Sequence, residues 1–349
     1  MPFEPTERTP LGHTGLSLTR LGLGGASIGG LFEAVSDDDA VALVDRAWEL
    51  GIRTFDVAPL YGYGAAERRV GRALATRPRD EFVLSTKVGR LVRHADAIPA
   101  GADIDAQSLA GRDDAFYART DAVRLVFDYS AEGVRRSLEE SLDRLGLDRI
   151  DIALIHDPDD HWEQAIGEAW PALARLRDER TVRAIGTGMN QSAMLARFAR
   201  EGDFDVFLLA NRYTLLDQTA LADLLPLCVE RGIGLLLGGV MNSGVLADPR
   251  PDSRFDYRPA PPEVVDRARR IAAVCERHGV PLRAAAIQFP LAHPAVASLI
   301  AGVRRIDHLE EYPAAMRRLI PAALWADLRG EGLLAPAAPV PQELPDGAP

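Results

Sequence analysis

The chain has 349 residues, 47% of them hydrophobic and 26% charged, with a formal net charge of −11. These proportions exclude a wholly disordered chain, and the negative field argues against nucleic acid or an anionic lipid surface as partner. The first fifteen residues lack an apolar stretch of the signal-peptide kind and no run of about 18 apolar residues occurs, so a cytoplasmic protein is expected.

In chain order, TPLGHTGLSLT alternates around Gly12-His13-Thr14-Gly15 and predicts a small hairpin that could plug a barrel floor. Short apolar runs of strand length follow at 18–25, 52–58, 81–87, 151–156, 182–188, 205–210, 232–239 and 295–302. Helical patterns lie between them. DDDAVALVDRAWELG opens on acids and closes on glycine, as a helix dipole and a left-handed cap favour. YSAEGVRRSLEESLDRLG, HWEQAIGEAWPALARLRDE, ALADLLPLCVERG and PEVVDRARRIAAVCERHG have the same character. Eight strands alternating with helices predict an α/β fold, a (β/α)8 TIM barrel occupying residues 1–330 as one domain. An open doubly wound sheet is the competitor, but GLGGASIGG has Ser27 and Ala26 where a GxGxxG fingerprint needs glycine.

Two segments exceed a minimal barrel. Residues 91–128, after the third strand, lack clear periodicity and are expected to form a long lid or substrate wall. Residues 331–349 are rich in Pro and Ala and are expected to be an unstructured tail. Cys228 and Cys275 sit inside amphipathic patterns without a CxxC partner and are expected to be buried structural thiols.

A barrel gathers the C-terminal ends of its strands around one mouth. Strand two ends on Asp56 with Tyr61 just beyond, strand three on Lys87 and strand four on His156. A lysine beside a tyrosine is expected to stabilise the phenolate and lower its pKa, with Asp56 holding the lysine. The phenol could then exchange a proton with a carbonyl or alcohol oxygen that His156 orients. None of the four carries electrons, so redox chemistry would need a cofactor. No metal site is expected.

FDVAPLYGYGAAERRVGRAL, followed by STK and IALIH, resembles the aldo-keto reductase signature, with the similarity running from about Thr9 to Tyr312. The resemblance implies hydride transfer between a nicotinamide dinucleotide and a small carbonyl or alcohol substrate. It makes Tyr61 the general acid or base, tuned by Lys87 and Asp56, with His156 positioning substrate. It places Gly24, Gly25 and Ala26 near the nicotinamide and pyrophosphate, Asn190 on the carboxamide, and Tyr213 at an aromatic cofactor position. Gly238 falls where the family usually stacks an aromatic ring on the nicotinamide, so another ring is needed or the nicotinamide is held less tightly. Gly302, Arg304, His308 and Glu311 align with cofactor-contacting positions of the adenosine-phosphate loop. Gly302 and His308 stand where NADP users carry a base, which favours NAD over NADP unless Arg304 or Arg305 compensates.

Within the superfamily, the segments around His156, GTGMNQ, NRYTLLDQ and GGVMNSGVLAD resemble the D-threo-aldose 1-dehydrogenase group, with L-fucose dehydrogenases and pyridoxal 4-dehydrogenases among its members. That similarity implies oxidation of a sugar hemiacetal at C1 to a lactone. Asp157 and Trp162 could then contact substrate, the tryptophan as a sugar-stacking face, unless Trp162 packs the start of its helix. Pyridoxal oxidation and general carbonyl reduction remain open. So do a non-catalytic nicotinamide-sensing barrel and Schiff-base chemistry at Lys87. Oligomeric state is unmarked in the sequence.

Overall fold

The computed structural model describes residues 2–106, 117 and 122–341. Eight parallel strands close into a barrel: β1 Leu21–Gly24, β2 Thr54–Asp56, β3 Val83–Val88, β4 Ile152–His156, β5 Ala184–Met189, β6 Val206–Ala210, β7 Gly234–Gly238 and β8 Val296–Ala301. Pairing of β8 with β1 completes the ring. Apolar side chains fill both faces of these strands because helices cover the outside and the barrel packs its own interior.

The hairpin Arg8–Leu11 and Leu16–Thr19 precedes the barrel, and its Leu11, Leu16 and Leu18 are buried in one cluster with Val83, Ile152, Leu154, Val206 and Leu236. It therefore plugs the floor, each leucine contributing about 1.5–3 kcal/mol by burial. The outer helices begin as their sequences specify. Ser36 accepts a hydrogen bond from the Asp39 amide at the head of Asp37–Glu49, and Ser130 accepts one from Gly133 at the head of Ala131–Leu145. The helical segment from Trp162 to Asp178 widens into a π turn at Ala165–Ala169, just ahead of Pro171, whose nitrogen offers no donor to the ladder. Cys228 and Cys275 are buried, and burial pushes their thiols up to about 12 and about 11.

The segment after β3 contains order that its sequence does not announce. Arg90–His94 pairs antiparallel with Val123–Phe127, Arg90 opposite Phe127. The remainder of 91–128 is described only in part. The expected unstructured tail is corrected over 331–341: Leu333, Leu334, Ala338 and Val340 are buried. The Leu333 amide donates to Leu328 O at 2.8 Å, and Arg267 donates to Leu333 O at 2.7 Å. Its few leucines and valine outweigh a composition dominated by Pro and Ala. Residues 342–349 lie outside the described residues. No described helix is long and apolar enough to cross a membrane.

Candidate active site

The loop leaving β2 coils tightly. Tyr61 N donates to Ala58 O at 3.1 Å and Gly64 N to Pro59 O at 2.8 Å, leading into the helix Ala65–Leu74. Gly62 and Gly64 take φ of +63° and +84°. A Cβ on Gly62 would sit 2.3 Å from Gly29 O, so this close turn requires glycine. The turn carries Tyr61 over the barrel mouth. There Lys87 Nζ stands 4.8 Å from its ring centroid and the His156 ring meets it edge-on, centroids 5.9 Å apart.

Lys87 and Asp56 are 1% and 2% exposed, which is tolerable only if both charges are fully engaged. Lys87 Nζ donates to Asp56 Oδ1 at 2.9 Å, to Oδ2 at 2.8 Å and to Val57 O at 3.0 Å, which occupies all three of its protons. Ser85 Oγ donates to Asp56 Oδ1 at 2.5 Å.

This arrangement corrects the expected direction of the tyrosine shift. Burial pushes the Tyr61 phenol well above its usual value, and the Asp56 charge adds to the rise. Lys87 is hydrogen-bonded to Asp56, and burial is the largest influence on the phenol. His156 moves the other way: burial, then the charges of Arg90 and Lys87, hold its pKa well below the usual histidine value, and the imidazole is neutral. Tyr129, held behind it, donates to His156 O at 2.6 Å. His156 Nε2 lies 3.5 Å from Asp157 Oδ2.

Arg90, which nothing in its local sequence marks, organises this side of the mouth. It is 5% exposed and meets Asp157 and Asp105, each at 3.0 Å. Burial raises the Asp157 carboxyl and Arg90 lowers it. Tyr117, from the segment after β3, places its ring 6.3 Å from that of Tyr61.

A cavity of about 370 Å³ runs from this mouth toward β8. Asp56 and Tyr61 bound one end, Gly24, Gly25, Ala26 and Gly238 form walls, and Gly302, Arg304, His308 and Glu311 line the far end. The cradle fits an extended ligand. A Cβ on Gly24 or Gly25 would already stand 2.9 Å from Ile300 or 3.0 Å from Asp56 O. One on Gly302 or Gly238 would meet nothing closer than 3.7 Å, leaving room above the backbone.

Three expected contacts fall elsewhere. Tyr213 is 1% exposed and packs against Phe289 and His293, away from the cavity walls. Asn211, at φ +63°, turns the chain just before it. Trp162 is buried against Phe198, ring centroids 4.4 Å apart, with Arg197 3.7 Å over its face; it packs its helix and offers no sugar-stacking surface. Asn190 does not line the cavity wall, but its side chain is a hydrogen-bond partner of the Tyr257 phenol, which does.

The fold and mouth define a β/α-barrel enzyme with acid–base groups at the C-terminal ends of its strands. The chain belongs to the aldo/keto reductase family, whose profile matches residues 20–330. It is 45% identical to a D-threo-aldose 1-dehydrogenase from Pseudomonas sp, over 90% of this chain and 94% of that one. It is 40% identical to a pyridoxal 4-dehydrogenase from Microbacterium luteolum, covering 96% and 100%. Among solved structures, the holo form of an aldo-keto reductase from Bacillus halodurans shares the fold, with a TM-score of 0.72 at 23% identity over 95% of this chain and 98% of that one. The protein is therefore an oxidoreductase acting on CH–OH or carbonyl groups of small molecules, in a family that uses nicotinamide cofactors.

Proposed function

We propose that this protein oxidises an aldose of the L-fucose or D-threo type at C1 to the lactone, with NAD+ as the favoured acceptor. The observation that carries the reading is Tyr61, set over the buried Asp56–Lys87 pair beside a neutral His156 and opening on the glycine-walled cavity. The names of the two relatives above support an aldehyde- or hemiacetal-level substrate. A nicotinamide dinucleotide, when bound, supplies the hydride acceptor; Gly24, Gly25, Ala26, Gly302, His308 and Glu311 would hold it.

In oxidation the anomeric C–H bond breaks, its hydride leaves, the hydroxyl proton passes to the oxygen of the Tyr61 phenolate, leaving the neutral phenol, and the C1–O bond becomes a carbonyl. Lys87 and Asp56 fix the floor beneath the phenol. The neutral imidazole of His156 hydrogen-bonds the reacting oxygen, and Asp157, held by Arg90, accepts from a neighbouring sugar hydroxyl. NAD is favoured because Gly302 and His308 bring no lysine or arginine to the far end of the cavity, where Arg304 is ion-paired to Glu33 at 3.0 Å and Arg305 to Asp307 at 2.6 Å.

The test is reduced-nicotinamide absorbance with L-fucose, D-arabinose, L-galactose and pyridoxal, each with NAD+ and NADP+. Turnover of an aldose with NAD+ is expected. Turnover of pyridoxal alone would replace the substrate assignment, and tight cofactor binding without turnover of any alcohol or carbonyl would replace catalysis with sensing.

A further inference from the structure

The loop after β7 contains a short antiparallel ribbon, Arg254–Phe255 paired with Arg258–Pro259. Asp256 and Tyr257 form its two-residue turn, at φ of +48° and +66°. Such a turn takes positive φ at both central positions and ordinarily selects Asn-Gly or Asp-Gly. A bulky aromatic there is strained by about 1 kcal/mol or more, and strain of this kind persists where the surrounding structure holds it for a purpose. Here the hold is visible. Arg212 grips Asp256 with two hydrogen bonds, at 2.9 and 2.6 Å, and Tyr257 N donates to Ser243 Oγ at 3.0 Å. The ring lies 6.3 Å from that of Phe32, across from the loop after β1, and Arg254 covers Phe32 at 4.8 Å.

So fixed, Tyr257 lines the same cavity as Tyr61 and Gly238. Its phenol is in hydrogen-bonding reach of Asn190 and Asn211, the latter loosely, since neither amide atom of Asn211 finds a well-aligned partner. At Gly238 itself, only Ala210 and Leu208 approach the place of a side chain, so β7 offers no ring.

We infer that Tyr257 supplies, from this turn, the aromatic face for the nicotinamide ring that β7 lacks at Gly238. The assignment rests on the nicotinamide reading above and adds the residue that bounds its reacting end. Tyr257→Asn removes the ring while placing a turn-favouring residue at positive φ, so the ribbon is retained; Tyr257→Phe keeps the ring and loses only the phenol.

Calorimetric titration with NAD+ and with ADP-ribose, which lacks the nicotinamide, separates the possibilities. Tyr257→Asn is expected to weaken NAD+ binding about three- to tenfold, the range of one aromatic contact, leaving ADP-ribose within about twofold of the unmodified protein. Tyr257→Phe is expected to bind both within about twofold. Equal losses for both ligands would show a ring that only shapes the channel, and unchanged NAD+ binding would show no contact; either overturns the assignment. Should NADP+ bind the unmodified protein more tightly, it and 2′-phospho-ADP-ribose take their places. Failure of the unmodified protein to bind any of these would remove the cofactor reading itself, an outcome seen before any substitution is made.

Discussion

Removing Lys87 should harm stability and activity for separable reasons. In Lys87→Met the Asp56 carboxylate remains 2% exposed with Ser85 Oγ as its remaining side-chain donor. Breaking one partner of such a pair costs about 3–5 kcal/mol, because the surviving charge is buried without compensation. With the 326 described residues at ~2.1 cal/mol/K each, the unfolding entropy is ~0.7 kcal/mol/K, so Tm should fall by ~4–7 °C. Asp56→Asn should destabilise comparably, by stranding the ammonium. The double variant removes both charges and leaves an amide that Ser85 can still bond, so its loss should fall well below the sum of the two singles. Urea denaturation of all four proteins measures the cycle. Losses that add to within about 0.5 kcal/mol would mean the pair is not coupled and would refute the argument. Turnover gives the second half: the double variant should recover stability without recovering activity.

Tyr61→Phe should lower kcat by about 10²–10⁴-fold with NAD+ affinity unchanged; preserved turnover would exclude the phenol as proton carrier. Because burial lifts the Tyr61 pKa above its ordinary value, the phenolate is scarce at neutral pH. The kcat for oxidation should then rise toward tenfold per pH unit across pH 7–9, and a flat profile would contradict this. Trp162→Ala should cost about 3–5 kcal/mol of stability with little change in KM for sugar, since the ring packs on Phe198. His293 is buried and its pKa is lowered to about 4 by that burial. The unfolded chain therefore takes up a proton first as pH falls, and stability present above about pH 6.5 is lost down to about pH 4, at up to ~1.4 kcal/mol per unit. His293→Gln should remove one such increment from the stability–pH slope, as pH-dependent denaturation would show.

The four groups at the mouth were legible because Asp56, Lys87 and His156 sit at or beside the ends of strands whose apolar runs announce them, and Tyr61 follows the second strand by five residues. Position on a strand end fixes direction, a closed barrel converts three such directions into one place, and the turn after the second strand carries Tyr61 over it. Tyr257, Tyr117 and Arg90 had no such signal. They reach the mouth on ribbons and loops without periodicity, positioned by contacts remote in sequence: Arg212 on Asp256, Tyr117 on Tyr61, Arg90 on Asp157. Tyr213 and Trp162 show the converse. Both follow a strand end closely, but Asn211 and Asp157 take left-handed backbone just beforehand. A turn of that kind redirects every later side chain, and nothing in the local sequence states which way.

The tyrosine shift also narrows the chemistry. A lysine beside a phenol suggests an acidic tyrosine, but here burial and the Asp56 charge raise the phenol instead, while Asp56 and Val57 take all three ammonium protons. What results is a weak acid whose conjugate base is strong. Proton transfer is most effective when donor and acceptor are matched, and an anomeric hydroxyl, acidified by the ring oxygen on the same carbon, gives its proton up more readily than a simple alcohol. A mouth of this kind should oxidise C1 of an aldose faster than the primary alcohol of a polyol of equal size. Equal kcat for an aldose and its polyol, with the same cofactor, would show that acidity of the reacting hydroxyl is not what Tyr61 exploits.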